Sequence, residues 1–502
     1  MSQLKKGALL SYSNILLTNI IGLVLTPYII RKLGDSEYGL FTLIGSFVGY
    51  LALMNLGINN AVIRFVAKYK AQNDREGEKI FLSTTMWVYF CISFVLVCLG
   101  MVAYFNFENI FSDSLTSEEM VKGKIMFLLF VFNLSFTIPG GSFQGICEGY
   151  ERFIFPRLLS IVRYVLRSVT IFAVLMYGGK AISIVVVDTI FSFLAILITA
   201  LYVFKNIGIK VSLYGFDKSM VKEIFAYSLW VFLFGIVYKF QWNAGQVVLG
   251  INTDTVTVAI YGVGILLGSY YGAFSGGINS VLIPRATQMV VKRSDGLTLT
   301  KAMIKVGRLN TFILFFILSG FILFGKAFIF LWVGETYLLS WYIAIMIMLV
   351  MTMPLIQAFG NSILEARKKN RYKSILSIVT VGTAVIIGFF LSKDYGIFGI
   401  AIPLISAMGI NSIIMNFYYK KIFDFKILFF FSKAVIIPFG IFLVLTTVTY
   451  FLLKYVEIQN WFTLLLGIVI YTFISLTAVF FIAMNDYEKN LIAGILNFRK
   501  KR

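Results

Sequence analysis

The regular spacing of apolar segments constrains the fold of this chain more than any other feature. Fourteen hydrophobic stretches, each of roughly 20 residues, are separated by short loops along 502 residues, and a helix needs about 20 apolar residues to cross a bilayer. The stretches are continuous rather than alternating, which excludes a closed barrel of strands. The mean hydropathy of +0.89 also exceeds that of a water-soluble domain. We therefore predict an all-α polytopic membrane protein.

Basic residues set the predicted orientation of these helices. The predicted spans lie near residues 9–30, 39–59, 80–104, 123–143, 158–177, 181–203, 223–245, 258–283, 304–325, 342–364, 375–391, 397–419, 434–453 and 461–483. When Lys124 and Lys305 at span ends are counted with the adjacent loops, 32 of the 44 Lys and Arg residues lie on the side of the N-terminus and 8 on the other side. Because cytoplasmic loops are enriched in Lys and Arg, both termini are predicted to be cytoplasmic. No soluble basic domain remains to bind nucleic acid, so the net charge of +21 follows from membrane insertion.

Missing residue types exclude several functions. The chain has no histidine, which excludes Ser–His and Cys–His nucleophile pairs, H-E-x-x-H zinc sites and histidine proton relays. Cys91, Cys98 and Cys147 have no paired spacing, so neither a disulfide framework nor a metal site is predicted. No G-x-x-x-x-G-K-[ST] loop is present, so we expect no nucleotide or other cofactor, and transport would draw on a proton or sodium gradient. The first apolar run is too long for a signal peptide and predicts a retained helix.

Two series of short motifs recur about 220 residues apart. The first is Tyr38-Gly39, Gly45-Ser46, Gly57-Ile58-Asn59 and Arg64, and the second is Tyr261-Gly262, Gly268-Ser269, Gly277-Ile278-Asn279 and Arg285. A later match aligns Pro139, Gly145 and Leu158–Val162 with Pro354, Gly360 and Ile375–Val379. Each copy holds six spans, and because six is even, both copies enter the membrane in the same direction, as in parallel-repeat transporters.

The duplication predicts a two-lobed bundle. Residues 1–210 form an N-terminal six-helix lobe, residues 211–425 form a C-terminal six-helix lobe, and residues 426–502 add two helices and a basic cytoplasmic tail. A cleft between two such lobes is typical of an alternating-access transporter. A duplicated scaffold without a transport role is the alternative.

Several motifs resemble those of one transporter family. Residues 32–40 (KLGDSEYGL) and 56–64 (LGINNAVIR) resemble the opening of bacterial polysaccharide (O-antigen type) flippases, and residues 331–335 (LWVGE) are similar to a later motif of that family. The family belongs to the multidrug/oligosaccharidyl-lipid/polysaccharide exporter superfamily, and the resemblance covers the first twelve spans. It implies ion-coupled transport of undecaprenyl-pyrophosphate-linked oligosaccharide, of O-antigen or capsule type, from the inner to the outer leaflet of the bacterial cytoplasmic membrane. It also implies contacts with membrane lipids and with other proteins of polysaccharide assembly.

Three alternative functions remain at the level of sequence. Two of them are other exporters of the same superfamily, a lipid II flippase and a multidrug exporter. Exporters of cationic drugs are expected to have acidic cavities. Apart from Lys124 and Lys305 at span ends, the spans here carry four basic residues and one acidic residue. A membrane glycan polymerase is expected to carry a large charged outer loop, whereas the longest outer loops, near 105–122 and 326–341, are short. The sequence therefore favours a flippase of an anionic substrate and not an enzyme.

Charged residues within the predicted spans are the first candidates for function, because burying them in a bilayer is costly. Arg163 and Arg167 are four residues apart on one face of the fifth span, and Asp188 of the sixth span lies within one turn of the depth of Arg167. The two arginines are predicted to bind a phosphate, with Asp188 orienting them or accepting a coupling proton. The compatible alternative is an Arg167–Asp188 pair that locks the hairpin. Arg308, near the cytoplasmic start of the ninth span, is expected to snorkel to the interface.

Five further positions complete the predicted substrate site. Lys239 and Gln241 lie in an unusually polar stretch of the seventh span and are predicted to offer a charge and sugar hydrogen bonds; an anchor at the outer interface is the alternative for Lys239. Asn19 suits a polar cavity wall, or equally a hydrogen bond between helices. Arg64 and Arg285 occupy matching places in the two repeats. They would attract a pyrophosphate at the inward mouth, or are ordinary positive-inside residues.

Overall fold

The structure is almost entirely helical, as the sequence predicts. This computed structural model describes residues 3–209, 215–279, 282–292, 294–367, 369–455 and 458–490, and within these ranges it contains no strand. Side chains are described throughout these ranges except at residues 3–9, 227, 229–231, 234, 276–279 and 282–285.

The helices of the described ranges follow one another with short connections. In chain order they are α1 (Gln3–Leu33), α2 (Asp35–Leu51), α3 (Ile58–Gln72), α4 (Arg75–Phe105), α5 (Phe107–Phe111), α6 (Ser117–Gly149), α7 (Ile154–Met176), α8 (Ala181–Tyr202), α9 (Lys218–Asn252), α10 (Thr255–Asn279), α11 (Leu282–Val291), α12 (Gly296–Val333), α13 (Leu339–Ile356), α14 (Ala358–Ala366), α15 (Arg371–Phe423), α16 (Ile427–Ala434), α17 (Ile436–Leu453) and α18 (Trp461–Ala478). Short 3-10 segments span Ala52–Asn55 and Glu335–Tyr337, and π segments span Val203–Ile207 and Val479–Ala483.

Twelve helical segments of the described ranges are long and apolar enough to cross a membrane. One of them, α15, has 53 residues, about 80 Å of helix and more than twice the thickness of the hydrocarbon core. Its backbone leaves the helical conformation at Gly396, where φ is 50°. The rings of Tyr372 and Tyr418, on either side of this point, stack with centroids 4.3 Å apart, which shows that the chain folds back there. Helix α15 is therefore a hairpin that corresponds to two predicted spans, and the total of fourteen spans stays a prediction.

The chain divides into two compact units. Unit 1 comprises Met1–Gly262 and Val381–Leu404, and unit 2 comprises Val263–Thr380 and Ile405–Arg502. Unit 1 thus contains the first six spans together with α9, the start of α10 and the tip of the α15 hairpin. The lobes predicted with boundaries at residues 210 and 425 stay a prediction.

Aromatic packing fills part of the core of unit 1. The ring of Phe107 lies 4.9 Å from that of Phe111, and the ring of Phe47 meets Phe111 edge-on with centroids 5.5 Å apart. Phe127 of α6 packs against the same group. Within a bilayer such contacts stabilise helix association through van der Waals packing rather than the hydrophobic effect. They hold α2, α5 and α6 together beside the polar residues described below.

The last two spans are integrated into unit 2. The hydroxyl of Tyr471 on α18 donates to Ser319 Oγ on α12 at 2.6 Å, and its ring stacks on Phe316 with centroids 6.2 Å apart. Phe324 and Leu464 are buried in the same cluster. The final helices therefore share a core with α12.

The expectation that Arg308 snorkels is wrong. Its Nε donates to Glu488 Oε1 at 2.6 Å and its Nη2 to Oε2 at 2.9 Å. Its Nη1 donates to the Lys433 carbonyl at 2.8 Å, and Nη2 also donates to the Ala483 carbonyl at 2.7 Å. Only 10% of the Arg308 side chain and 3% of the Glu488 side chain are exposed. The acidic partner lies 180 residues away, so local sequence gives no sign that the guanidinium is buried.

Candidate substrate-binding site

The predicted Arg167–Asp188 pair is present in the structure. Helices α7 and α8 are joined by a tight turn at Gly178, where φ is 87°, so the two residues come to one level. Arg167 Nη2 donates to Asp188 Oδ2 at 2.9 Å, and Nε donates to Oδ1. About a fifth of each side chain is exposed. The pair neutralises both charges inside the membrane and locks the hairpin.

Arg163 lies one turn from Arg167 and differs from it in environment. Its side chain is exposed, and in the part of the chain that the structure describes it makes no ion pair or hydrogen bond. The neighbouring residues join α7 to α1: Asn14 Nδ2 donates to Ser160 Oγ at 3.3 Å, and the Tyr164 hydroxyl donates to the Thr18 carbonyl at 3.3 Å. Arg163 thus extends from a polar seam between two helices, with its donors available to an external ligand.

Lys239 lies against α2, whose glycine leaves room for it. A Cβ added at Gly49 would be 3.4 Å from Lys239 Nζ and 2.6 Å from Asn243 Nδ2. Asn243 donates to the Ser46 carbonyl at 3.5 Å, and the Ser46 hydroxyl donates to the side-chain carbonyl of Gln246. Because Lys239, Asn243 and Gln246 are spaced by four and three residues, one polar face of α9 lies along α2. Lys239 is half-buried, and the described residues offer it no counter-ion.

The remaining predicted site residues are less informative. Asn19 on α1 and Gln241 on α9 are half-buried, and neither has a hydrogen-bond partner among the described residues. Arg64 is exposed on α3, with its guanidinium carbon 5.7 Å from the centre of the Phe65 ring. The side chain of Arg285 lies outside the described residues. The structure therefore brings Arg163, Arg167 and Asp188 together on one hairpin but reports no direct contact between them and Lys239.

Elements of both sequence repeats meet within unit 1. A Cβ added at Gly39 would be 1.8 Å from the carbonyl oxygen of Thr255, so α2 touches the start of α10 backbone to backbone. A Cβ at Gly262 would be 3.7 Å from Thr42 Oγ1. Thr255 Oγ1 also donates to Glu119 Oε1 at 2.7 Å. The two Tyr-Gly motifs of the predicted duplication therefore mark a place where α2 and α10 contact each other.

Comparison with known proteins identifies the family. A family model described as a polysaccharide biosynthesis protein matches residues 4–290. The chain belongs to this polysaccharide biosynthesis family. A Shigella flexneri protein named "Putative O-antigen transporter" is 20% identical over 406 residues, covering 78% of this chain and 92% of that protein. The family resemblance inferred from the sequence motifs is thus confirmed.

Solved structures show which fold this polysaccharide biosynthesis protein shares. The lipid II flippase MurJ in an inward closed conformation is similar with a TM-score of 0.74 and 18% identity, over 94% of this chain and 98% of that one. An inward-facing MATE family multidrug transporter is similar with a TM-score of 0.63 and 12% identity, over 85% of this chain and 100% of that one. The polysaccharide biosynthesis protein therefore has the fold of these membrane transporters.

Sequence reasoning missed Glu119, an important residue of the α2–α10 contact in this polysaccharide biosynthesis protein. Glu119 accepts from the Ser36 hydroxyl at 2.6 Å and from the Thr116 backbone amide at 2.9 Å, besides Thr255. The spacing Thr116-x-x-Glu119 is that of a capping box, which the structure contains. That signal was available in the sequence and predicts the start of α6, although not the contact with α10.

Proposed function

We propose that this polysaccharide biosynthesis protein is a flippase. It moves a pyrophosphate-linked oligosaccharide on a lipid carrier, of O-antigen or capsule type, from the inner to the outer leaflet of the bacterial cytoplasmic membrane. The family, the name of the Shigella relative and the shared transporter fold support transport rather than catalysis. The observation that supports the substrate class most directly is Arg163.

Arg163 is a permanent cation on a membrane-spanning helix and makes no ion pair with a described side chain, because Asp188, which acts on it electrostatically, is already paired with Arg167. It lies nine residues after the start of α7, roughly 14 Å along the helix axis. A charge at this depth is unfavourable unless it faces a hydrated cavity or an anionic ligand. A guanidinium binds phosphate through two parallel hydrogen bonds and stays charged at any physiological pH. Arg163 is therefore suited to hold the pyrophosphate while it crosses.

Lys239 and the polar side chains around it suit the rest of the substrate. Its ammonium group supplies a second cation, and Asn243 and Gln246 of the same helix face supply amides for sugar hydroxyls. On α1, Asn19 adds a half-buried amide with no described partner. An oligosaccharide needs many such hydrogen bonds, because each sugar hydroxyl that loses its hydrogen bonds to water without gaining others costs free energy. The lipid tail would remain in the bilayer.

Contact between repeat-equivalent helices supports an alternating-access mechanism. The predicted orientation puts Gly39, Glu119 and Thr255 on the outer side of the membrane, so their contact would close the outer end of the path. Opening requires the Thr255–Glu119 hydrogen bond to break and the Gly39 backbone to leave Thr255. An ion gradient, of protons or sodium, would drive the cycle. Asp188 is the proposed proton acceptor if protons are used, although protonation would first have to break its pair with Arg167.

The decisive experiment measures lipid-linked glycan in cells that carry Arg163→Ala or Arg163→Lys at matched membrane abundance. We expect Arg163→Ala to slow export by roughly 10- to 150-fold, because a hydrogen bond to a charged group contributes about 1.5–3 kcal/mol. Intracellular lipid-linked glycan would accumulate, and Arg163→Lys would retain part of the activity. Arg157→Ala is the matched control on the same helix, because Arg157 pairs with Glu148 at 3.3 Å. Normal export from Arg163→Ala would contradict the proposed phosphate site.

A further inference from the structure

The second membrane-spanning element is broken near its middle. Helix α2 ends at Leu51, a 3-10 turn covers Ala52–Asn55, and α3 begins at Ile58. Between them, Leu56 and Gly57 are both left-handed, with φ of 50° and 71°. A left-handed leucine costs about 1–2 kcal/mol, and the break frees backbone groups that need partners inside the membrane. In transporters, a broken helix at membrane depth is a frequent location for a substrate or ion site.

Buried oxygen atoms without partners lie at this break, on α3 and on α4, which packs against α3. The side-chain carbonyls of Asn55 and Asn59, the Tyr89 hydroxyl and the Ser93 hydroxyl are buried and have no hydrogen-bond partner. Tyr89 is completely buried. Each unpaired buried oxygen costs roughly 1–3 kcal/mol, and buried polar groups are normally satisfied. Four together at a helix break point to a ligand.

Helix geometry brings the part of α4 that carries Tyr89 and Ser93 towards the start of α3. Helices α3 and α4 form an antiparallel hairpin in which the rings of Phe65 and Phe81 lie 5.0 Å apart. Both helices rise equally per residue, so counting from this contact places Tyr89 beside the start of α3, and Ser93 lies one turn further along α4. Helix α6 closes a third side, because a Cβ added at Gly145 would be 2.4 Å from Asn59 Oδ1. The Asn59 carbonyl thus faces α6.

The chemistry of these atoms narrows the class of ligand. Amide carbonyl oxygens only accept hydrogen bonds, so a bare phosphate does not suit Asn55 and Asn59. A divalent cation prefers carboxylates, and the described residues contain no group of three or more acidic, Cys or His side chains that would hold a metal ion. A neutral set of carbonyl and hydroxyl oxygens suits a monovalent cation. The carbonyls freed at the end of the 3-10 turn add further oxygens, as they do at sodium sites in broken transporter helices.

We propose that the break at residues 52–57 binds a sodium ion through Asn55, Asn59, Tyr89 and Ser93. This sodium site would supply the ion coupling of the proposed function. Only the role of the site in transport rests on that function, because sodium binding itself can be measured without substrate. The Gly-Ile-Asn motif that begins in the break, at Gly57, recurs in the sequence as Gly277-Ile278-Asn279.

Sodium binding is tested by thermal unfolding of the full-length purified protein in NaCl, KCl or choline chloride at equal ionic strength. We expect a saturable rise of a few degrees in apparent Tm with sodium, since a ligand that binds only the folded state stabilises it. Tyr89→Phe removes one ligand oxygen without changing packing and is expected to raise the half-saturating sodium concentration about tenfold. Asn59→Asp adds a negative charge and is expected to lower it by a similar factor. Ser475→Ala deletes another buried, unpaired hydroxyl, on α18, and should leave the sodium response unchanged.

Two outcomes would overturn the proposal. Equal melting curves in the three salts would show that the folded protein binds no sodium. A sodium response that Tyr89→Phe and Asn59→Asp both leave unchanged would show that sodium binds elsewhere. In that case the Tyr89→Phe protein would melt at the same temperature as the wild-type protein or at a higher one. The assay contains no glycan, so failure here leaves the flippase proposal standing. A wild-type protein that binds sodium but exports no lipid-linked glycan would instead contradict the proposed function.

Discussion

Removing the guanidinium of Arg308 should unfold the second unit at a much lower temperature. In Arg308→Ala, Glu488 would keep its charge while only 3% exposed, and the carbonyls of Lys433 and Ala483 would each lose a donor. Breaking a buried ion pair from one side costs about 3–5 kcal/mol. In a unit of about 200 residues, each kcal/mol corresponds to roughly 2–4 °C in Tm, so the expected loss is roughly 6–20 °C.

Thermal unfolding in detergent, followed by intrinsic fluorescence, measures this loss. Glu488→Gln should lose less, because the amide keeps one acceptor for Arg308. The double variant Arg308→Met/Glu488→Met should recover most of the stability, since no charge is then left buried and unpaired. Lys426→Ala is the control, because Lys426 pairs with Asp424 in an exposed position and such pairs contribute little. An Arg308→Ala protein that melts within 1 °C of wild type would refute the reasoning.

Two other perturbations follow from the contacts in unit 1. Gly39→Val would push α2 away from Thr255, so glycan export should fall at least tenfold at normal abundance. Gly45→Ala should export normally, because a Cβ at Gly45 meets nothing within 4 Å. Equal export from the two variants would contradict the proposed outer closure. Arg167→Ala should lower Tm, because the negative charge of Asp188 is then left without a partner. The double variant Arg167→Ala/Asp188→Ala should regain part of that loss. Additive losses in the double variant would show that the two charges are not coupled.

The parts of the fold that were predictable follow from the membrane itself. A bilayer requires long apolar helices with satisfied backbones, so hydropathy alone locates α4, α8 and α12. The hairpin in α15 was also predictable, because the apolar run there is too long for one crossing and contains Gly396. The pairing of Arg167 with Asp188 followed from counting residues along two helices joined by a tight turn. In each case a local rule fixes the geometry.

The unpredictable parts depend on contacts between residues distant in sequence. Nothing near Arg308 in the sequence indicates Glu488. The predicted second span runs through Leu56 without a break, because Asn55 and Asn59 beside it are polar residues that an unbroken helix also accommodates. Likewise, Gly49 carries no signal of its own; its role appears only when Lys239 lies over it. Sequence periodicity identifies which face of a helix is polar but does not identify what that face meets.

Residues shared by the two predicted repeats coincide with the proposed moving parts. The Tyr-Gly motif lies where α2 contacts α10, and the first Gly-Ile-Asn motif lies where α2 gives way to α3. Most positions of the two copies differ, and packing alone tolerates many apolar side chains of similar volume. A glycine at a backbone contact or at a left-handed residue tolerates few substitutions. The surviving similarity is therefore expected where each copy must close against the other and bend, as an alternating-access mechanism requires.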